Sequence, residues 1–263
     1  MSKCVAVLGC SSSVGKSTIV TALCRYYSNK DIVPFKAFNL SSEGFKYNDL
    51  FIGYAQYVQA IAAKKEYQGF MNPILKRYTN NNFEIYLNGL KKEGFSIEEG
   101  KKVVDEAFLK LISNHQYLIV EGSGSVAELN IMDLDIANTT FAIKHNIPII
   151  LVADISRGGV FGTLYGNYML LSKEARSLVK GFIINKFDGD PKCFDSGVKI
   201  IEELCSKPVI GVVPRIEFQL PHEDTHCNEV ECSEIDIESN IEHLCKEVIK
   251  HLDMNYIDNK IFN

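Results

Sequence analysis

Gly9-Cys10-Ser11-Ser12-Ser13-Val14-Gly15-Lys16-Ser17-Thr18 lies between an apolar run, Cys4 to Leu8, and the stretch Thr18 to Arg25, whose apolar residues recur with helical spacing. It therefore reads as a strand-to-helix turn. A glycine and serine loop ending on a helix N-terminus points several backbone N–H groups and the positive end of the helix dipole at one spot, which a polyphosphate can fill. Residues Ser11 to Thr18 are expected to wrap that group, with Lys16 reaching the outer phosphates and the Ser17 hydroxyl placed to ligate the accompanying magnesium. The usual loop has four residues between its first glycine and Gly-Lys-Ser/Thr; here five separate Gly9 from Gly15, the strict pattern failing at Cys10. A loop that merely caps a helix is the alternative. Gly-Lys-Ser-Thr directly after a strand argues against it.

Outward from this turn, strands and helices alternate. Ile32 to Phe38 reads as a second strand, an edge strand because Pro34 cannot donate to a ladder, and Ile52 to Ala62 reads as a helix. Met71-Asn72-Pro73-Ile74-Leu75 is a break before a short strand, and Asn80 to Asn82 a turn before Phe83 to Leu87. Ser96 and Glu99 have capping-box spacing ahead of a helix through Ile112. Strand Tyr117–Glu121 ends in a carboxylate, followed by the loop Gly122 to Ser125. Then come a helix from about Asp135 to His145, strand Pro148–Asp154, the turn Ser156 to Gly159, helix Val160–Leu171, strand Gly181–Asn185, helix Phe194–Cys205 and strand Val209–Val213. A last amphipathic helix runs roughly from Ile237 to Leu252. Near-continuous apolar strands between helices predict an α/β fold, a mostly parallel sheet with helices on both faces.

With 263 residues, 46% hydrophobic and 23% charged, the chain suits one large domain. Residues 1–225 read as its nucleotide-binding part, and 226–263 as an acidic segment and closing helix of the same domain. A net charge of −5 provides no basic field for nucleic acid. No apolar run is long enough to span a bilayer, and without a charged leader the expected location is cytoplasmic. The eight cysteines are scattered with no Cys-x-x-Cys pair, which reads as reduced thiols. His222 and His226 near Cys227 and Cys232 form a weak zinc pattern on an expected loop.

In an open parallel sheet the ligand crevice lies outside the carboxyl ends of the strands. The residues gathered there are the phosphate loop, Lys36, Glu121 with Gly122 to Ser125, Asp154 with Arg157, and Asn185-Lys186-Phe187-Asp188. Glu121 is a candidate second magnesium ligand opposite Ser17; its alternative is a helix-capping or salt-bridged glutamate. Lys36 is either a cation for a phosphoryl group in flight or a solvated surface lysine. Asn185 can read a purine edge while the Lys186 stem packs on its ring, and Asn-Lys-x-Asp also matches the guanine-reading element of GTPases.

Taken together and in order, several blocks resemble the synthetase domain of cobyric acid synthases, in the dethiobiotin synthetase-like group of phosphate-loop enzymes. That group also spaces its glycines by five. The blocks are Pro34-Phe35-Lys36-Ala37-x-Asn39, Ile52-Gly53-x-Ala55-Gln56-x-x-Gln59-Ala60, Met71 to Leu75, Glu121-Gly122-x-Gly124-Ser125-x-Ala127-Glu128, Asp154-Ile155-x-Arg157-Gly158-Gly159-Val160-Phe161, Gly181 to Asp190 and Leu220-Pro221-x-Glu223-Asp224. The resemblance implies a P-loop NTPase fold and an ATP- and Mg2+-dependent ligase. In it, a small-molecule carboxylate, on a corrinoid, attacks the γ-phosphate and the acyl phosphate is trapped by ammonia. It further implies Lys16, Lys36 and Glu121 as catalytic, Ser17 and Glu121 as metal ligands, Asn185 and Lys186 at the base, and Asn39, Gly122, Ser125 and Arg157 at the acceptor. A homodimer is the group's habit.

The chain departs from the pattern in places. No cysteine stands in a glycine-rich elbow of the kind a glutaminase needs, so ammonia is expected from solution or a separate glutaminase subunit. Phe51 and Tyr54 replace an acidic residue and an arginine, Asp49 being the nearest substitute ligand; Ser156 replaces an aspartate, and Lys76-Arg77-Tyr78 replaces Leu-Lys-Pro. These changes leave open a dethiobiotin synthetase-type carbamate chemistry and a relative that only binds nucleotide. A partitioning or switch ATPase is disfavoured because Ser11 stands where such proteins carry a second lysine.

Overall fold

In the segment KCVAVLG, strand β1 (Lys3–Gly9), Val5 and Val7 face one hydrophobic core while Ala6 and Leu8 face the other. A strand buried on both faces belongs at the centre of a helix-covered sheet, and β1 takes that place. The computed structural model describes residues 3–41, 44–79, 82–130, 135–220 and 236–262. Its main sheet pairs β1 with β9 (Tyr117–Glu121) on one side and β10 (Ile149–Asp154) on the other. Beyond β9 lies β2 (Ile32–Phe35); beyond β10 lie β11 (Val179–Phe187) and β12 (Val209–Pro214). All five pairings are parallel. Pro34 sits in an outer strand, as its missing donor requires.

Helices cover both faces. Helix α1 (Lys16–Tyr26), α2 (Tyr54–Ala62) and the C-terminal helix α8 (Ile237–Ile249) close the core that holds Val5, Val7 and Ile119. Arg25 of α1, buried, is held by Glu238 and Glu242 of α8. The other face is closed by α3 (Ile97–Asn114), α4 (Thr139–Lys144), α5 (Val160–Leu170), α6 (Lys173–Leu178) and α7 (Asp195–Cys205). The predicted capping box at α3 is half realised, Ser96 Oγ accepting from the Glu99 N–H at 3.1 Å.

The expectation of one sheet needs correction between residues 38 and 92. A second, four-stranded sheet is built there from β3 (Phe38–Ser41), β6 (Ile74–Thr79), β7 (Asn82–Leu87) and β8 (Leu90–Lys92), with order β3-β6-β7-β8. A hairpin of β4 (Phe45–Tyr47) and β5 (Leu50–Ile52) stands beside it. The second strand therefore stops at Phe35, and Phe38 begins a strand of a different sheet. Ile52 ends β5 rather than opening α2. The helix expected from Asp135 starts at Thr139, because the Asp135 carboxylate accepts from the N–H groups of Ala137, Asn138 and Thr140 and holds a turn there. Helix α6 was not anticipated. The His222, His226, Cys227 and Cys232 group lies outside the described residues, among which no helix is long and apolar enough to cross a membrane.

Candidate active site

Two glycines fix the shape of the phosphate loop. A Cβ on Gly9 would come within 2.9 Å of Lys16 Nζ, the Ser11 carbonyl and Val14 Cγ2. Gly15 has φ of +95°, and a Cβ there would meet Asn185 Nδ2 at 2.0 Å. Val14 anchors the loop in the core. Cys10, the extra residue, is buried, and burial pushes its thiol up to about 12 despite the nearby Lys16, so it packs rather than reacts. Gly15 caps α1 without a side-chain hydrogen bond, so the first N–H groups of the helix are available to an anion.

Neighbouring strand ends lock this loop. Asn185 Nδ2 donates to the Val14 carbonyl at 2.9 Å. Lys186, at φ +61°, donates to the Ser13 carbonyl and, at 2.8 Å, to Asp154 Oδ2. Burial opposes ionisation of Asp154, but the hydrogen bonds from Lys186 and Ser156 outweigh it and hold the carboxyl below its usual range. On the other side, Ser125 Oγ donates to the Cys10 carbonyl at 3.0 Å, Val126 N–H to Gly9 O at 3.0 Å, and Lys16 Nζ to Gly124 O at 2.8 Å.

At the centre stands Glu121, 1% exposed. Its Oε1 accepts from Ser17 Oγ at 2.8 Å and from Lys36 Nζ at 2.9 Å, and its Oε2 accepts from Gln59 Nε2. Burial would raise the Glu121 carboxyl, yet the Lys36 charge and these three donors win and hold it below its usual range. Lys36 is thus no solvated surface lysine: it is buried 85 positions from its partner in sequence. An ionised carboxylate beside a serine hydroxyl is a hard oxygen donor pair of the kind magnesium takes.

Two cavities meet here. The first, about 480 Å³, is lined by Ser12, Ser13, Gly15 to Thr18, Lys36, Glu121, Asn185 and Lys186, and also by Arg215, Ile216 and Phe218 just past β12. The second, about 500 Å³, is walled by Phe38, Leu40, Ile74 and Ile85 of the second sheet with Phe95, Ile97, Val126 and Ile136, and carries Lys76, Glu128 and Asp135. Leu40, Ser123 and Gly124 line both. A polar, cation-bearing chamber therefore opens beside an apolar one, with Lys16, Ser17, Lys36 and Glu121 in the first.

A family model described as the CobQ/CobB/MinD/ParA nucleotide binding domain matches residues 5–223. The chain belongs to this family. The cobyric acid synthase of Clostridium botulinum (strain Alaska E43 / Type E3) is 40% identical over 250 residues, 91% of this chain and 50% of that protein. The probable cobyric acid synthase of Thermococcus kodakarensis is 42% identical over 246 residues, 86% of this chain and 49% of that protein. The chain spans about half the length of the curated relatives it matches.

Within this CobQ/CobB/MinD/ParA chain, not every residue expected at the site reaches it. Ser11 contributes its carbonyl to Lys16 at 3.3 Å. Asn39 is fully buried and donates to Gln56 Oε1 at 2.7 Å. Gly122 lies under Asn138, where a Cβ would be 2.5 Å from Oδ1. Ser125 lines the second cavity, whereas Arg157 is exposed and lines neither. Asp49 is exposed in the β4–β5 turn. Phe51 stacks on Tyr86 at 4.5 Å and Tyr54 on Phe45 at 4.7 Å, so these two departures pack the second sheet and hairpin, away from both cavities. Ser156 donates its N–H to Asp154 Oδ1 at 2.8 Å.

Three contributors were missed. Gln59 was legible as a buried glutamine one helical turn after Gln56. The Arg215 to Phe218 segment follows the carboxyl end of β12 and fell under the same crevice rule as the others. Leu40 carried no signal, because the second sheet was not foreseen.

Proposed function

We propose that the chain binds ATP with magnesium and activates a carboxylate of a small-molecule acceptor, a corrinoid, as an acyl phosphate that ammonia converts into an amide. The observation that carries this reading is the convergence of Lys16, Lys36, Ser17 and Glu121 in a chamber that shares Leu40, Ser123 and Gly124 with an apolar one beside it. The relatives named cobyric acid synthase support the same reading.

In this scheme the phosphates lie on the loop and the N-terminus of α1, and the base lies toward Asn185, Lys186, Ile216 and Phe218. Asp188, which a guanine would need, pairs with Arg215 at 2.9 Å and does not line the chamber; that favours ATP over GTP. Ser17 and Glu121 would hold magnesium, which neutralises phosphate charge when bound. The acceptor carboxylate oxygen attacks the γ-phosphorus and the bond to ADP breaks. Lys16 and Lys36 stabilise the negative charge on the phosphoryl oxygens, an effect that preorganised cations supply without reorganisation. Ammonia then attacks the acyl carbon, loses a proton, and phosphate leaves. Ammonia is the second substrate in this proposal, to which a homodimer also belongs.

A substrate screen reading ADP release tests it, with ATP and GTP compared and ammonium supplied. ADP and amide formed with a corrinoid carboxylic acid is the expected result. ADP released only with a diamine and bicarbonate would replace the reading with carbamate chemistry, and no acceptor-dependent ADP would leave a nucleotide-binding protein.

A further inference from the structure

Cross-strand partners in a sheet share a face, and side chains two apart along a strand return to it. The registers Phe38↔Ile74, Leu40↔Lys76 and Lys76↔Ile85 therefore put five residues on one face of the second sheet, and these are the residues of that sheet that line the apolar cavity. The next pair on this face is Tyr78↔Phe83, two residues past Lys76 and Ile85 and so roughly 7 Å further along the strands. The two rings lie 5.1 Å apart, tilted by 58°, and are 47% and 52% exposed. Lys76 Nζ sits 4.0 Å over the Phe83 ring, so one side chain links the cavity wall to the aromatic pair. The opposite face is accounted for: Tyr86 and Arg77 cover Phe51 there.

We propose that Lys76, Tyr78 and Phe83 form an outer subsite for the part of the acceptor that does not react. This rests on the acceptor reading given above. The chemistry it fits is a large, flat, partly apolar ring bearing more than one carboxylate. The ring edge lies against Tyr78 and Phe83, a peripheral carboxylate pairs with Lys76, and the reacting carboxylate extends past Leu40 toward Lys36. Exposed rings that lead out of a cavity give a rigid apolar surface at little entropic cost, and a cation held over a ring stays fixed for an anion.

The test is a binding titration and a KM-against-kcat comparison on the full chain. The probe is a corrinoid polycarboxylic acid made by hydrolysing the side-chain amides of a cobalamin, with adipate as a small dicarboxylate control. The paired variant Tyr78→Ala, Phe83→Ala is expected to weaken corrinoid binding roughly five- to tenfold and raise its KM with kcat held, since aromatic contacts of this kind contribute about 1 kcal/mol. Lys76→Met is expected to weaken the polycarboxylate several-fold more than its fully amidated parent. Both variants should bind ATP as the parent chain does, which reports on folding. Equal corrinoid affinity in the parent and both variants would overturn the subsite while leaving the acceptor reading intact; no corrinoid binding by the parent chain would overturn both. A loss of adipate affinity matching the loss for the corrinoid would also overturn the subsite.

Discussion

Lys36 Nζ lies 2.9 Å from Glu121 Oε1, with only 3% and 1% of the two side chains exposed. A buried pair of this kind is strongly sensitive to loss of one partner, because the other remains charged and without compensation. Lys36→Met is therefore expected to destabilise the fold by about 3–5 kcal/mol, and the double variant Lys36→Met, Glu121→Gln should recover most of that loss while remaining unable to turn over ATP. Urea unfolding of the three proteins checks this. Equal stability of parent and single variant would mean that the pair contributes nothing.

Glu121 also sets a pH response. Its carboxyl is held below its usual range in the folded protein, so its contribution to stability is complete above the unfolded value of about 4.3 and is lost as pH falls through the folded value. Stability at neutral pH should exceed that in the acid range, and the Glu121→Gln, Lys36→Met protein should show a shallower acid loss. Parallel acid-unfolding curves would rule this out.

Away from the site, Asp31 accepts from Lys65 at 2.6 Å and pairs with His115 at 2.9 Å. Burial opposes its ionisation, but these hydrogen bonds bring its carboxyl down to about 2. Asp31 is a third exposed, so solvent screening reduces the benefit to about 1 kcal/mol, present above about pH 4 and lost between there and about pH 2. Asp31→Asn should remove that increment at neutral pH and leave ATP binding untouched, as read by thermal unfolding and nucleotide titration.

Lys16 Nζ is held between Gly124 O and Ser11 O, at 2.8 and 3.3 Å. Neither carbonyl is left charged if it is removed, so Lys16→Ala should keep the fold and abolish ATP turnover. Normal ATP-dependent product formation by that variant would sink the phosphate-loop assignment.

Gly15→Ala should be damaging for two separable reasons. The added methyl would strike Asn185, and a φ of +95° is unfavourable for any residue with a Cβ. Pairing it with Asn185→Ala removes the collision but leaves the backbone strain of about 1 kcal/mol or more, together with the lost hydrogen bond to Val14. Nucleotide affinity should fall in both, and calorimetry should find the double variant more stable than Gly15→Ala alone. If it is not, the collision is not the dominant cost.

Much of the main sheet was legible because each of its strands is a short apolar run bounded by a turn. The strand-end rule then placed Lys16, Ser17, Lys36, Glu121, Asn185 and Lys186 at one edge. The second sheet was only partly legible: short strands were expected after the Met71 to Leu75 break and at Phe83 to Leu87, but nothing local showed that they pair with each other and with Phe38 to Ser41 as a sheet of their own. Phe51 and Tyr54, which stand where the family pattern has an acidic residue and an arginine, are ring-packing residues of that sheet and its hairpin.

By itself the sequence determined the phosphate loop, since Gly9, Gly15 and Lys16 act within a few residues of one another and local backbone geometry dictates their arrangement. Only the tertiary structure decided what Lys36 is. Nothing local distinguishes a lysine at a strand end from a solvated one; its burial against Glu121, with Gln59 and Ser17 on the same carboxylate, follows from β2, β9, α1 and α2 packing together. The charged centre of the site is a product of that packing, because only there is the carboxylate dry enough to require three donors at once.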